Sequence, residues 1–575
     1  MSIGHIGVRR EVRSRLQEIM PASQNLTTHA FAWIMLAATA AVMPMVLLGT
    51  PVGHDLDYQV PSWMETADQF RQGILFQHWV AVTNHGFGEP YFIFYPPLSR
   101  TIGGIVGLVL PWRMVPGVYV WVALMVAGVA MWKCAQELLQ PRDALWAALL
   151  YATNPYLIIN AYKRCAFAEL LASALFPVLV WCAIRMEKDA RQAVLPLSLV
   201  LAAMWLSDLP VAVVASYSLA GLLLLSSLLY RTFQPILYGS VAILAGIGAS
   251  AFFLLPAAWE RQWVNIGRVM QFQWRPEHNF LFDHTNLYGV AFNRNLSWVA
   301  LLLIVVTAGA AVLARQLRRE KPLDWRLLTG LAAASTFMML PPSLVFYRIL
   351  PELRFVQFPW RWLSPLCVAG AMLTASAIGE ARRTWMPLAG AALAVACVAA
   401  VIMYSSEWDP DHHLDELNAV VHSKVGFRSI VSWCHPIASE PEKLDVSAPL
   451  VAPANPEDAK ELSRPPVQIQ IEHWGAERRV FSVDSPRPSQ LKLRLVNYPG
   501  WQARLNGNTL ALQTEQETGQ IVVAVPAGLS RVEIQFGRTW DRTLGILISL
   551  ATLVTIFPLI LWLRQRKVPG ETPGV

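Results

Sequence analysis

Residues 53–99 read GHDLDYQVPSWMETADQFRQGILFQHWVAVTNHGFGEPYFIFYPPLS and gather polar and charged side chains between strongly apolar segments. The stretch opens with His54, Asp55 and Asp57. Two carboxylates this close can share a divalent cation, or one can act as a base while the other holds its partner. We therefore predict Asp55 and Asp57 as catalytic residues and as ligands of a divalent cation, Mg²⁺ or Mn²⁺, with the remaining chain as their scaffold.

The middle of this stretch is predicted to form an amphipathic helix. Polar side chains lie opposite apolar ones that recur at a spacing of three and four residues. The apolar positions are Val60, Trp63, Met64, Ala67, Phe70 and Ile74. Such a helix is typical of one that lies along a membrane surface. The end of the stretch, with Glu89 and Tyr95, is interpreted as a lid or a lipid-facing lip.

The composition indicates a polytopic α-helical membrane protein. Of the 575 residues, 54% are hydrophobic and 15% are charged, and the mean hydropathy is +0.39. The apolar residues cluster in long runs, as in membrane-spanning helices. The formal net charge of +7 does not indicate nucleic-acid binding, because the basic residues lie mainly in short connections between apolar runs. The positive-inside rule expects basic residues there, so no nucleic-acid partner is predicted.

The basic connections also predict the topology. The first span begins near Ala30, after an arginine-rich segment that places the amino terminus in the cytoplasm. The apolar run 98–110 is short and flanked by arginines, so it is interpreted as interfacial. With this choice every strongly basic connection lies inside, and both termini are cytoplasmic. The twelve predicted spans are 30–48, 115–132, 143–160, 170–184, 193–207, 209–229, 235–257, 295–314, 327–341, 362–379, 385–404 and 543–563.

This topology places several charged residues at the outer ends of the spans. Charges there are costly unless they are paired, hydrated or used. With the outer loop, they give the candidate substrate-binding residues His54, Glu89, Tyr95, Arg164, Glu169, Asp208 and Arg361. For each charged residue at a span end the alternative is a structural ion pair or a side chain that snorkels to the interface.

Three parts of the chain are predicted. Residues 1–404 form a transmembrane domain with a catalytic-type outer loop at 50–114, and residues 405–541 form an acidic extracytoplasmic domain. Residues 542–575 form the last transmembrane helix and a cytoplasmic tail. The middle part alternates like an antiparallel β-sandwich from about residue 467, after a linker rich in Pro and Glu at 436–466. The Asn506-Gly507 pair predicts a tight hairpin.

Four motifs carry a family resemblance: GHDLDYQVP, GFGEPYFIFYPPLS, YKRCAFAELLA and FPWRWLSP. They resemble the bacterial membrane protein family labelled "6-pyruvoyl-tetrahydropterin synthase-related". The order of an amino-terminal span, an acidic outer loop and further spans resembles the GT-C superfamily of membrane glycosyltransferases. The family label does not imply pterin chemistry, because pterin synthases are soluble zinc enzymes and no comparable histidine set occurs here.

The superfamily resemblance implies an enzyme at the outer face of the bacterial cytoplasmic membrane. Such an enzyme moves a sugar from a polyprenyl-phosphate donor to an envelope glycan, lipid or protein. On this interpretation Asp55 or Asp57 deprotonates the acceptor hydroxyl, and Arg164 or Arg361 stabilises the departing phosphate. The alternative is a non-enzymatic factor for assembly or transport of envelope polysaccharide.

Overall fold

The computed structural model describes residues 28–286, 289–317, 323–380, 396–408, 412–421, 436, 443–454, 467–558 and 561. Helices dominate up to residue 380, and two of the longer helices follow later in the chain. They are α1 Thr28–Leu48, α2 Leu56–Arg71, α3 Pro97–Val109, α4 Val115–Ala135, α5 Pro141–Ala152, α6 Pro155–Tyr162, α7 Phe167–Lys188, α8 Ala190–Trp205, α9 Leu209–Tyr230, α10 Gln234–Ala249, α11 Ala251–Glu260, α12 Val290–Leu317, α13 Leu323–Met338, α14 Leu344–Ile349, α15 Leu363–Glu380, α16 His412–Val421 and α17 Trp540–Ala551.

Short elements connect these helices. Four-residue helices lie at Thr83–Gly86 and Tyr91–Phe94, and residues 396–404 are helical. The 3-10 turns are Trp112–Met114, Arg261–Trp263, Ile266–Met270, Phe272–Trp274, Pro276–His278, Pro341–Ser343, Leu353–Val356 and Pro359–Trp362. A π turn at Thr552–Ile556 continues α17.

Several helices in the described part of the chain are long and apolar enough to cross a membrane. There are six by length and composition, or up to eight if two bent pairs each count as one span. The bent pairs are α10 with α11, at 73°, and α13 with α14, at 90°. They contain the predicted spans 235–257 and 327–341. The predicted span 385–404 lies largely outside the described residues, so the total of twelve stays a prediction.

The outer-loop helix α2 forms as predicted but is buried inside the protein. Its Trp63 ring stacks on Tyr119 of α4 at 4.7 Å and lies 5.1 Å from Phe167. Gly103 of α3 approaches this indole so closely that a Cβ atom there would lie 2.2 Å from it. The polar Glu65 and Gln69 are also buried. The prediction that α2 lies along a membrane surface is therefore wrong, because other helices cover its apolar face.

The carboxy-terminal part is an antiparallel β-sandwich, as the alternating pattern predicts. The strands are β1 Val451–Pro453, β2 Gln468–Trp474, β3 Arg478–Ser485, β4 Ser489–Val496, β5 Trp501–Leu505, β6 Asn508–Leu510, β7 Gln513–Thr514, β8 Gln520–Val525 and β9 Gly528–Phe536. One sheet has the order β1-β4-β8-β7 and the other β2-β3-β9-β5-β6. Inward side chains of both sheets share one core. Residues 451–453 had been assigned to the linker, but they pair with β4.

The hairpin between β5 and β6 has the predicted turn. Leu505 pairs with Asn508 across it. The two central residues, Asn506 and Gly507, have φ values of 49° and 87°. This left-handed geometry matches the twist of the flanking strands and favours Asn followed by Gly.

The sandwich packs directly against the outer loop. Trp79 of the loop lies 5.2 Å from Trp501 and 5.6 Å from Phe536, measured between ring centroids. The Arg494 guanidinium donates to the His85 carbonyl at 2.6 Å. The Val496 amide donates to the Phe87 carbonyl at 3.1 Å. The sandwich thus covers this end of the loop, which argues against a lipid-facing lip, whereas the role of a lid stays a prediction.

Candidate functional site: a buried acid and arginine cluster

A short helix and a strained turn build the centre of the site. Helix α6 begins at Pro155, whose missing N–H costs nothing at a first helical position. The Asn154 side chain caps it by accepting hydrogen bonds from two backbone amides at 3.0 Å each. After α6, Cys165 adopts a φ of 52°, an uncommon value for a residue other than glycine. The chain then turns into α7, which carries Glu169 in its first turn.

The Glu169 carboxylate is the centre of this cluster and is almost completely buried. Arg164 Nη1 donates to Glu169 Oε2 at 2.6 Å, and Arg361 Nε donates to the same oxygen at 3.0 Å. The Tyr156 hydroxyl donates to Oε1, and Asn160 Nδ2 donates to Oε1 at 3.4 Å. Because both arginines are also buried, Glu169 forms ion pairs with two positive charges that are largely shielded from water, and Asp55 supplies a second negative charge beside Arg164.

Packing between α7 and α15 brings Glu169 and Arg361 together. Arg361 lies in the 3-10 turn Pro359–Trp362 that leads directly into α15. Further along both helices, the Ser173 and Ser364 hydroxyls hydrogen-bond at 2.9 Å. This contact helps to set the register of the two helices. Arg361, 192 residues from Glu169 along the chain, thereby reaches the Glu169 carboxylate.

The outer loop docks onto the same turn through Gly53. A Cβ atom at Gly53 would lie 2.7 Å from the Arg164 carbonyl carbon and 2.7 Å from Cys165 Sγ, so only glycine fits. The Asp55 amide donates to the Arg164 carbonyl at 2.7 Å. The Asp55 carboxylate, 29% exposed, then accepts from Arg164 Nη2 at 3.3 Å. Asp55 thus joins the cluster while keeping a face open to solvent.

The environment of Asp55 suits a proton acceptor. Burial raises the pKa of Asp55 above the usual aspartate value, and the Arg164 guanidinium opposes this rise. A carboxylate with a raised pKa is a stronger base than an ordinary aspartate. The Asp55 environment therefore combines basicity, solvent access and a neighbouring cation.

Asp208 and Tyr95 face the cluster from two other segments. Asp208 caps α9 by accepting a hydrogen bond from the Val211 amide at 2.9 Å. Burial raises the pKa of Asp208 to about 6, although the Arg361 charge lowers it. Burial and the nearby carboxylates of Asp208 and Asp55 raise the pKa of Tyr95, whose hydroxyl accepts from Gln59 Nε2. The Tyr95 phenol is therefore neutral and available as a donor.

His54 lies at the edge of the cluster. Its ring meets Phe292 edge-on at 4.9 Å, and Phe292 in turn lies 5.9 Å from Trp360. Burial lowers the pKa of His54, so the imidazole is neutral at physiological pH. A neutral imidazole beside aromatic rings contributes a hydrogen-bonding group without a further positive charge.

Two predicted residues have other partners. The Asp57 carboxylate, 52% exposed, contacts His413 Nε2 of α16 at 2.7 Å. His413 lies in α16, which packs on α2. Glu89 is fully buried and accepts from Asn84 Nδ2 at 3.4 Å, within its own loop. These contacts are with groups other than the Glu169 carboxylate, so neither Asp57 nor Glu89 is placed in the cluster by them.

Sequence reasoning missed two polar partners of Glu169, although a signal was present. Tyr156, Asn160 and Arg164 recur at four-residue spacing, which places them on one helical face. All three donate hydrogen bonds to Glu169. The spacing of polar groups in an otherwise apolar segment was the usable observation. No comparable signal linked His413 to Asp57, which are 356 residues apart.

The described residues do not form an evident divalent metal site. Within them no group of three or more His, Cys, Asp and Glu side chains is arranged to hold a metal ion. The Arg164 guanidinium lies where a cation bound to Asp55 Oδ2 would be expected, and Asp57 contacts His413. The residues present therefore fit a cation shared by Asp55 and Asp57 poorly.

Comparison with known proteins gives one family match. The family described as "6-pyruvoyl-tetrahydropterin synthase related domain; membrane protein" matches residues 92–409. No protein of curated function matches the chain.

Several solved structures are similar in fold. The apo oligosaccharyltransferase of Archaeoglobus fulgidus is 12% identical with a TM-score of 0.44, covering 68% of this chain and 58% of that one. The same enzyme has been solved with Zn and sulfate (13%, TM-score 0.40, 66% and 54%). Arabinofuranosyltransferase AftD from Mycobacteria is 13% identical with a TM-score of 0.40, covering 65% of this chain and 27% of that one. This chain thus spans little more than half the length of the archaeal enzyme.

Proposed function

This chain belongs to the 6-pyruvoyl-tetrahydropterin synthase related family of membrane proteins, and we propose that it is a glycosyltransferase that uses a polyprenyl-phosphate sugar. The donor keeps its lipid tail in the bilayer, and its anomeric carbon lies at the membrane surface. The acceptor is a hydroxyl-bearing envelope component on the outer face. This proposal assigns the reaction to the cluster of Asp55, Arg164, Glu169, Asp208 and Arg361.

The observation that carries the proposal is the pair of buried arginines held on one carboxylate beside an accessible aspartate. Arg164 bonds both Glu169, at 2.6 Å, and Asp55, at 3.3 Å. The longer contact to a partly exposed carboxylate is the weaker one and is open to exchange. An incoming phosphate offers Arg164 and Arg361 pairs of charged acceptor oxygens, which the planar fork of a guanidinium group binds with two parallel hydrogen bonds. A structural ion pair alone does not require Asp55 to be accessible.

The chemistry follows from these positions. Asp55 removes the proton of the acceptor hydroxyl as its oxygen attacks the anomeric carbon of the donor. The bond between that carbon and the phosphate oxygen breaks, and polyprenyl phosphate leaves with the electron pair. Arg164 and Arg361 stabilise the negative charge on the departing phosphate. Glu169 orients both guanidinium groups, and Asp208 adds a second acidic group near Arg361.

The variant Arg164→Lys tests the phosphate site. Lysine keeps the charge but has no planar fork, so we expect transfer from lipid-linked donors to fall at least tenfold. The measurement is release of polyprenyl phosphate from a panel of defined lipid-linked sugars by the purified protein in lipid nanodiscs. Arg113→Lys is the matched control, because Arg113 is an exposed arginine in the turn Trp112–Met114.

The double variant Arg164→Lys with Glu169→Gln distinguishes joint action from two separate roles. Residues that act as a unit give non-additive losses, whereas independent residues give additive ones. Unchanged donor use in Arg164→Lys would refute the phosphate site. Strictly additive losses would make Glu169 and Arg164 a structural ion pair only. Absence of transfer from every donor in the panel, with the protein folded, would favour the assembly or transport role.

We further propose that the cluster faces the outside of a bacterial cytoplasmic membrane. The support is the placement of basic residues in the sequence, which puts both termini in the cytoplasm. In this orientation the β-sandwich and the outer loop lie on the side where polyprenyl-linked sugars are consumed.

Reporter fusions test this orientation. Fusions after Arg383 and after Lys567 are expected to read cytoplasmic, and a fusion near Pro465 is expected to read external. These positions lie outside the described residues, so the prediction rests on charge placement alone. An external carboxyl terminus would overturn both the interfacial interpretation of 98–110 and the outward position of the cluster.

A further inference from the structure

A cleft separate from the acid and arginine cluster lies between the β-sandwich and the loop that follows α11. Its volume is about 400 Å³, within the range of about 300–1,000 Å³ that small-molecule sites occupy. The lining residues are Gln262, Trp263, Pro436, Asn497, Tyr498, Pro499, Trp501, Leu512 and Thr514. Two separate parts of the fold thus contribute to one concave surface.

The walls of the cleft are fixed by contacts on both sides. Trp263 meets the Tyr498 ring edge-on at 5.7 Å, and Val264 forms an antiparallel bridge with Pro436. The Tyr498 hydroxyl donates to Glu260 Oε2 at 2.8 Å, and Glu260 pairs with Arg542 at 2.7 Å. These buried contacts hold the aromatic floor in place before any ligand binds.

The chemistry of the lining is aromatic and neutral. None of the described residues that line the cleft carries a charge, so these residues offer no counter-charge to a phosphate, a carboxylate or an ammonium group. Its exposed polar groups are the Gln262 amide and the Thr514 hydroxyl, and the Asn497 amide donates to Thr514 at 2.6 Å. Amides and hydroxyls both donate and accept hydrogen bonds, as sugar hydroxyls require.

We propose that this cleft binds a neutral saccharide chain. The half-buried Trp263 presents an aromatic ring with an electron-rich face, which attracts the polarised C–H groups on the apolar side of a pyranose ring. Gln262, Asn497 and Thr514 then bind the hydroxyls at the ring edge. The described lining residues offer no counter-charge to a charged ligand. A purely apolar ligand would not use the hydrogen-bonding capacity that the two amides and the hydroxyl retain beyond their contacts to Trp259 and to each other.

The inference rests on the proposed function in one respect, because it names a saccharide as the acceptor class of that transfer. A link between the cleft and the outer loop supports this connection. Trp79 of the loop packs on Trp501 at 5.2 Å and on Tyr498 at 6.2 Å, so the cleft floor and the loop that carries Asp55 share one aromatic cluster.

The test measures binding of neutral oligosaccharides to the full-length protein in nanodiscs, by tryptophan fluorescence and saturation-transfer NMR. The probes are unbranched glucan, mannan and galactan oligomers, a uronic-acid oligomer and a proline-rich peptide. We expect one neutral oligomer to bind with little dependence on salt, because the lining residues that the structure describes are all uncharged. Trp263→Ala should weaken binding at least tenfold, and Gln262→Ala, at an exposed position, should weaken it severalfold without affecting folding.

The matched control is Trp540→Ala. Trp540 is 55% exposed and meets Trp259 edge-on at 4.8 Å, but it does not line the cleft. Its replacement should leave oligosaccharide binding unchanged. Binding of the peptide, of the uronic-acid oligomer alone, or of no probe would overturn the inference. So would oligosaccharide binding that survives both cleft variants.

The experiment also separates this inference from the proposed transfer reaction. Arg164→Lys should retain full oligosaccharide binding, because Arg164 lies in the acid and arginine cluster and does not line the cleft. If binding depends on Trp263 but no donor supports transfer, the proposed function fails and the cleft remains a saccharide site. If transfer to saccharides proceeds with the same acceptor KM in Trp263→Ala, the cleft inference fails and the reaction stands.

Discussion

Asp55→Asn is expected to lower the turnover of sugar transfer by about 10²–10⁴-fold, the usual contribution of a positioned acid or base. Asparagine is nearly isosteric but cannot accept the proton of the acceptor hydroxyl. Folding should be little affected, because the lost contact to Arg164 is 3.3 Å long and the Asp55 side chain is partly exposed. Arg164 also keeps its shorter contact to Glu169 in this variant. Turnover and thermal unfolding of the purified variant check both statements.

Asp57→Asn is the matched control for this variant. Asp57 is two residues away in the same loop, but its carboxylate contacts His413. We expect Asp57→Asn to lose much less activity than Asp55→Asn. The sequence alone predicts equal catalytic roles for the two aspartates. Complete loss of activity in both variants would support a shared catalytic role for the two aspartates. A cation shared by them would then be detected as inhibition of the unmodified protein by EDTA. Full activity in Asp55→Asn would exclude Asp55 as the base.

Glu169→Gln is expected to destabilise the protein by about 3–5 kcal/mol and to lower transfer at least as much as Arg164→Lys does. Its carboxylate is 1% exposed and forms ion pairs with both Arg164 and Arg361. Removing one partner of a buried ion pair leaves uncompensated charge in a medium of low polarity. Glutamine retains the shape of the side chain and one acceptor oxygen. The loss of stability therefore results from the missing negative charge and not from a cavity. Thermal unfolding in detergent, followed by intrinsic fluorescence, measures the effect.

Glu137→Gln is the control for buried charge. Glu137 also lies between two cations, Arg185 at 3.6 Å and Lys188 at 3.7 Å, but its side chain is 20% exposed. Solvent reaches this group, so its loss should cost about 1 kcal/mol or less. Equal destabilisation by the two variants would show that burial is not what makes Glu169 important. A stable Glu169→Gln variant with normal transfer would remove Glu169 from the site.

The local parts of the fold could be predicted because their signals lie within short windows of sequence. The outer-loop helix was predicted from its periodicity, and the strands from their alternation. The hairpin at Asn506 and Gly507 was predicted because few residues adopt the left-handed conformation that such a turn needs. The burial of α2 was not predicted, because an apolar stripe looks the same whether lipid or another helix covers it.

For the site as well, the sequence identified candidate residues, and the structure was needed to show which of them lie together. Sequence reasoning selected Asp55, Arg164, Glu169, Asp208 and Arg361 from their charge and their position at the ends of apolar runs. It did not distinguish them from Asp57 and Glu89, which have the same chemistry and lie in the same outer loop. The structure separates the two groups, because it shows which side chain each carboxylate contacts.

The sequence by itself determined that this is a multi-pass membrane protein with an antiparallel β-sandwich. Long apolar runs and two-residue alternation are local properties that solvent and lipid impose directly on the chain. Only the tertiary structure decided that Glu169 joins Arg164 to Arg361 and that Asp57 contacts His413. Those pairs span up to 356 residues. They exist because the packing of helices, the docking of Gly53 and the contact of the sandwich with the outer loop bring distant segments into contact.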